Sequence, residues 1–174
     1  MSETVDTAAG RPGAPAPEPS LPGVEVRPAR SDEAGAVARA VHELLLELGG
    51  SPSSLTAMED AARTLLTSPV AGIALVAEVE NELVGILAAS WQVAIHVPGS
   101  YALIQDLWVH PAWRSRTIGR DLVAALVEAA RAKGMERVEV GLPRERFAGF
   151  PATEAFYLGN GFEHLGPRMR RVLG

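Results

Sequence analysis

The chain has no cysteine among its 174 residues. That absence excludes a disulfide framework, a thiolate metal site and a cysteine nucleophile together. Long apolar runs are missing as well. Stretches such as Leu83–Ala89 fall far short of the ~20 residues a membrane span requires, so no membrane partner is expected. The first residues carry no basic segment followed by an apolar core, which excludes a standard secretory signal and points to a cytoplasmic protein. There is no Gly-x-Ser-x-Gly elbow and no Walker-type phosphate loop. The four histidines, His42, His96, His110 and His164, show no metal-ligand spacing, and no metal is expected. His110, just before Pro111, is read as fixing its loop.

What the chain does contain is enough apolar content, 47%, for one core in one domain of ordinary size. Its net charge of −5 argues against nucleic acid as a partner. That mean hides an asymmetry: residues 1–110 sum to −9 and residues 111–174 to +4. Opposite halves of this kind suit ligands of opposite sign. Residues 1–22, rich in Pro, Ala, Gly and Ser and free of aromatic residues, cannot offset the entropy of ordering and read as a disordered leader. The folded domain is expected over 23–174.

Within it, Val24 and Val26 alternate with Glu25 and Arg27 as a short strand ended by Pro28. Ser31 and Asp32 offer caps for a helix carrying Val37, Ala40, Val41, Leu44 and Leu45, stopped by Gly49-Gly50. A second helix is expected over Leu55–Leu66. Strands follow over Gly72–Val79 and Leu83–Val93 around a Glu80-Asn81-Glu82 turn, then a break over His96–Ser100 and a central strand Tyr101–Val109. An amphipathic helix over Ile118–Lys133, a strand through Val138 and Val140, a short helix near Ala152–Leu158 and strands over Phe162–Leu165 and Met169–Leu173 complete the order. That order predicts an α/β domain with a mixed sheet and an antiparallel first half.

The most informative stretch runs from Tyr101 to Leu122, where the central strand feeds through a basic loop into the first turn of a helix. A helix start offers unpaired N–H groups and the positive end of the dipole, an anion site. Arg114, Arg116 and Arg120 oppose that dipole, so helix stability does not explain them, whereas a bound polyanion does.

The run Asp106-Leu-Trp-Val-His-Pro-Ala-Trp-Arg-Ser-Arg-Thr-Ile-Gly-Arg120 resembles the acyl-CoA-binding motif of the GNAT superfamily of N-acetyltransferases, Arg/Gln-x-x-Gly-x-Gly/Ala after a strand. Phe156-Tyr157-Leu158-Gly159-Asn160-Gly161-Phe162 is similar to the family's Tyr-x-x-x-Gly-Phe signature. The element order from Val24 to Leu173 also agrees. The resemblance implies a GNAT-like acyl-CoA N-acyltransferase fold with acetyl-CoA as co-substrate. It implies that the strand end Leu107, Trp108 and Val109 pairs with pantetheine amides. The segment Arg114, Ser115, Arg116, Thr117, Ile118, Gly119 and Arg120 would hold the pyrophosphate. Tyr157 matches the tyrosine that protonates the departing thiolate, a role that suits a phenol protonated at neutral pH.

Thr117 departs from the pattern, which has glycine there. Either the turn keeps φ negative and the Thr117 hydroxyl joins the phosphate contacts, or cofactor binding is weakened; the first is preferred. An attacking amine must lose a proton, and Asp106 is the candidate base, with a structural role accepting loop amides as the alternative. Strand alternation would send Gln105 and Asp106 to opposite faces. The resemblance puts the acceptor cleft beside the first helices, where Glu43, Glu47, Glu59 and Asp60 would favour a cationic amine, while an exposed helix face is the preferred reading for most of them. Of the tryptophans, Trp91 is read as packing the sheet, while Trp108 and Trp113 either shape the acceptor pocket or pack. The Phe147–Pro151 loop is a candidate wall.

The function expected is an acetyltransferase acting on a primary amine of a small molecule by direct attack, since no cysteinyl acyl-enzyme can form. The alternatives are a non-catalytic acyl-CoA sensor or recruiting module, and a protein N-terminal or lysine acetyltransferase. Exposed strand edges are compatible with a homodimer.

Overall fold

The computed structural model describes residues 23–166. The expected leader over 1–22 and the strand over Met169–Leu173 lie outside the described residues. The elements are β1 (Val24–Pro28), α1 (Ala34–Glu47), α2 (Leu55–Leu66), β2 (Gly72–Val79), β3 (Glu82–Ala94), β4 (Val97–Val109), α3 (Ile118–Ala132), β5 (Val138–Val140) and α4 (Phe150–Gly159). One sheet runs in the order β1-β2-β3-β4-β5. Its first four strands are antiparallel. β5 joins parallel to β4 across only Ala102–Ile104. This is the expected mixed sheet with its antiparallel first half.

Strand alternation sorts the core into two layers. Val76 and Ile86 point to the side where Val37 and Ala40 of α1 pack. Leu75, Ala77 and Leu87 point the other way, onto Leu122, Val123 and Leu126 of α3. Helix α3 therefore begins beneath the face of the sheet opposite to α1. Gly85 on β3 makes the contact close, since a Cβ there would lie 3.0 Å from Ile118. Among the described residues no helix is long and apolar enough to cross a membrane.

The turns explain where the elements stop. Glu80 and Asn81 both take positive φ, 50° and 67°, and Val79 faces Glu82 across the ladder. That is the two-residue hairpin turn whose twist matches the strands. Gly134, at φ 74°, ends α3 because a residue without Cβ adopts that conformation at little cost. Ser54 caps α2, accepting from the Ala57 amide at 3.3 Å.

Three expectations are corrected. The turn before the central strand is only two residues long, and β4 starts at Val97 rather than Tyr101. Val93 pairs with Ser100 and Ala94 with Val97, so Pro98 and Gly99 are the extra residues of a bulge. A proline lacking N–H and a glycine at φ 97° are tolerated there because the ladder asks nothing of them. Helix α4 begins at Phe150, two residues earlier than expected, because Pro151 lies in its first turn, where no N–H donor is needed. Phe162–Leu165 forms no strand. Instead the Phe162 amide closes the end of α4 on the Tyr157 carbonyl at 3.1 Å, and its ring packs on the core.

Candidate active site

The site arises from a mismatch in strand length. β5 leaves β4 after Val140, while β4 continues to Val109. From Gln105 onward that edge of β4 has no neighbouring strand among the described residues. β4 is also bulged here. Ala89 pairs with Ile104 and Ala88 with Asp106, leaving Gln105 without a partner in the ladder. The bulge overturns the expected opposition of Gln105 and Asp106, because the two-residue period is broken between them. Both line the cavity that opens where the strands part, a space of about 960 Å³,.

All the candidate residues converge on that one cavity. Asp106, Leu107, Trp108 and Val109 come from β4, Arg114 through Arg120 from the loop and the start of α3, and Tyr157 from α4. The ring of Trp108 is 5% exposed and belongs to the cluster under α1. A second hollow of about 1170 Å³ lies beyond β5 and holds none of these residues,.

The start of α3 corrects the reading of Thr117. Its φ is +66°, left-handed, not negative. Its hydroxyl is also engaged with Asp121 Oδ2 at 3.1 Å. Ser115 is left-handed too, at φ 59°. Left-handed Thr117 is followed directly by the right-handed first residue of α3, Ile118, and such a pair turns successive amides toward a common centre, the geometry of an anion nest. The backbone thus keeps the conformation that glycine would adopt freely, at a cost of roughly 1–2 kcal/mol for an L-residue. Gly119 has a different task. A Cβ there would lie 3.2 Å from the Phe156 ring, so its missing side chain lets α4 dock against α3.

The three arginines separate. Arg114 Nη2 donates to both oxygens of Glu47 at 2.7 Å, and its Nε donates to the Val109 carbonyl at 2.9 Å. An acid in the last turn of a helix opposes the dipole, and Arg114 offsets it. The Arg114 side chain is thereby directed to α1. The Arg116 guanidinium stacks 5.0 Å from the Trp113 ring centre, and Arg120 lies 3.8 Å from the Asp121 carboxylate. His110 Nδ1 accepts from the Ala112 amide at 3.3 Å, fixing the loop as expected.

Tyr157 is 7% exposed and held edge-on between Phe156 and Phe162, whose centroids are 5.1 and 5.2 Å away. Burial pushes its phenol up to about 12, with the neighbouring Asp106 charge adding to the rise. Burial likewise raises Asp106 above the usual carboxylate range. No loop amide donates to Asp106 among the described residues, so the structural alternative for this carboxylate finds no partner there. A protonated phenol and a desolvated carboxylate thus lie within electrostatic reach of each other,.

The acidic residues of the first helices lie mostly on exposed helix faces, the reading preferred for them. Glu59 and Asp60 pair with Arg63 on the surface, Glu43 is exposed, and Glu47 is taken by Arg114. Of the four only Glu47 lines the cavity. What sequence reasoning missed is apolar: Leu44, Leu45 and Leu48 line it from the end of α1. The signal was present, since Leu44-Leu45-Leu46 is a broader apolar run than one buried helix face needs. Phe147 lines the cavity as expected for that loop. Trp91 packs against the core and donates its indole N–H to the Pro69 carbonyl at 3.0 Å.

The model of the acetyltransferase (GNAT) domain family matches residues 71–164, which spans β2 to the end of α4. No curated protein matches the sequence. Among solved structures, a possible acetyltransferase from Clostridium difficile 630 superposes with TM-score 0.74 at 16% identity, covering 87% of this chain and 97% of that one. An aminoglycoside acetyltransferase from an uncultured soil metagenomic sample gives 0.69 at 23% identity, with 87% and 99% covered. An aminoglycoside N-acetyltransferase in complex with CoA gives 0.72 at 16% identity, with 91% and 98% covered. At these identities the superpositions speak to the fold alone.

Proposed function

The chain belongs to the GNAT acetyltransferase family, and from that premise we propose that it moves an acetyl group from acetyl-CoA to a primary amine of a small molecule by direct attack. The observation that carries the reading is the convergence of the free β4 edge, the nest before α3 and the Asp106–Tyr157 pair on one cavity. Similar folds include one in complex with CoA and others that are aminoglycoside acetyltransferases, which supports both a thioester donor and a small amine acceptor.

Each part of the chain has a task in this reading. The backbone of Leu107 and Val109 on the open edge of β4, where the Val109 carbonyl also accepts from Arg114 Nε, holds the pantetheine arm by strand-like hydrogen bonds,. The Ser115–Gly119 turn receives the pyrophosphate on backbone N–H groups, with the α3 dipole behind them. The co-substrate supplies the activated acetyl group. Asp106 accepts the proton that the ammonium must lose before the amine can attack. Tyr157 gives its proton to the sulfur as the carbon–sulfur bond breaks, leaving free thiol and amide. The nitrogen sheds its second proton to solvent as the amide forms. The phenolate is reprotonated from solvent and Asp106 releases its proton, so that one proton is set free per turnover. Holding both reactants in one cavity makes the attack effectively unimolecular.

Initial rates at varied acetyl-CoA and amine test the direct route. Intersecting double-reciprocal lines are expected, as both substrates must be bound together. Parallel lines would require an acyl-enzyme and would overturn it.

A further inference from the structure

The lining of the cavity divides across β4. Most of the candidate cofactor residues, Ser115 to Arg120 with Tyr157, lie toward α3 and α4, whereas Leu44, Leu45 and Leu48 come from α1, which packs on the other face of the sheet together with Trp108 and Arg114. Asp106 stands on β4 between the two ends. The α1 end exposes hydrocarbon: Leu48 is 36% exposed, and Leu44 and Leu45 are half-buried.

Charge counts against a polycation. Two carboxylates line the cavity among the described residues, Glu47 and Asp106, against three arginines. Glu47 is already neutralised by Arg114 through both oxygens. A second positive charge on an acceptor would therefore sit among leucines, with no carboxylate of its own and with arginines nearby. One ammonium, in contrast, finds one carboxylate, and an apolar body finds the leucines.

We propose that the acceptor is a monoamine carried on an apolar body, an alkyl- or arylalkylamine, seated on Leu44, Leu45 and Leu48 with its nitrogen at Asp106, and not a polyamine or aminoglycoside. This rests on the acetyl-transfer reading for the fate of the bound amine, but not for its binding. Each methylene buried on the leucines should tighten binding about fourfold while the chain still fits.

The test is calorimetric titration of the CoA-saturated protein with n-alkylamines from butylamine to octylamine, 2-phenylethylamine, spermidine and an aminoglycoside, with thiol release measured in parallel on acetyl-CoA. Affinity rising along the alkyl series, with spermidine and the aminoglycoside at least tenfold weaker than the best monoamine, is expected. Leu48→Gln, at an exposed position, should weaken octylamine about tenfold and leave the CoA affinity unchanged; Leu45→Gln serves where the first variant folds poorly. Polycations binding as tightly as monoamines, a flat alkyl series, or an octylamine affinity unmoved by both variants would overturn the inference. Monoamines that bind in this order without any thiol release would support it and overturn the transfer reading instead.

Discussion

Arg114 holds Glu47 through both carboxylate oxygens at 2.7 Å while its Nε reaches the Val109 carbonyl at 2.9 Å. One side chain thus ties the end of α1 to the end of β4. Nothing in the basic loop forecast this, because the partner lies 67 residues away in sequence. We therefore propose that Arg114 positions a wall of the cavity and leaves the anion to the backbone of the turn. Arg114→Gln should change the dissociation constant for acetyl-CoA by less than about threefold and raise the KM of the amine. Both side chains are substantially exposed, so stability should fall by no more than about 1 kcal/mol. Calorimetric titration with acetyl-CoA and steady-state kinetics check the two halves; a tenfold loss of acetyl-CoA affinity would return Arg114 to the anion site.

Thr117 sits at φ +66° with its hydroxyl on Asp121. Thr117→Gly relieves a left-handed β-branched residue but loses one part-buried hydrogen bond and gains chain entropy in the unfolded state. The net expected is a stabilisation of up to about 1 kcal/mol, with acetyl-CoA affinity kept or improved because the nest already has this shape. Chemical denaturation and titration measure it. A destabilised variant with weakened cofactor binding would mean that the Thr117–Asp121 bond, not the backbone conformation, shapes the turn.

Asp106 has its pKa raised above 3.8 by burial. A group that binds its proton more tightly when folded adds stability that is fully present below the unfolded pKa and is lost as pH rises through the folded value. Asp106→Asn removes that penalty. The variant should be more stable than the parent at neutral pH, and the difference should vanish in acid, near and below pH 3.8. Activity should move oppositely: kcat/KM at neutral pH falls by roughly 10²–10⁴, and the rising acidic limb of the pH profile disappears. Thermal unfolding across pH and the pH–rate profile check both. An Asn variant with full activity across pH removes Asp106 from the reaction.

Much of the fold was legible because periodicity and turn chemistry agreed. α2 and β2 occupy Leu55–Leu66 and Gly72–Val79 as expected, and α3 starts at Ile118 where the basic loop yields to apolar spacing. The errors came where a local rule met a bulge. Pro98-Gly99 reads as a loop, yet two unpaired positions absorb it within β4. Gln105 and Asp106 read as opposed, yet a bulge breaks the alternation between them, and the Gln105 amide turns to Ser90 Oγ at 2.8 Å. Phe162–Leu165 looks like a strand, but its first residue is spent closing α4. Of the site, the motif residues could be grouped because they are close in sequence, or belong to the Tyr157 signature. The leucines of α1 and the Glu47 pairing could not, since only the tertiary fold brings helix α1 to the end of β4.

The central claim is acyl transfer with Tyr157 as the acid. Its phenol, pushed up to about 12, stays protonated through the neutral range. The most direct measurement follows free thiol and amide product together, with acetyl-CoA and a primary monoamine, for the parent protein and Tyr157→Phe. The protein has no cysteine of its own, so every thiol comes from the co-substrate. One thiol per amide is predicted for the parent, with a rate lower by roughly 10²–10⁴ for Tyr157→Phe and unchanged acetyl-CoA binding. Tight acetyl-CoA binding with no thiol release for any amine, or equal rates for the two proteins, would contradict the account.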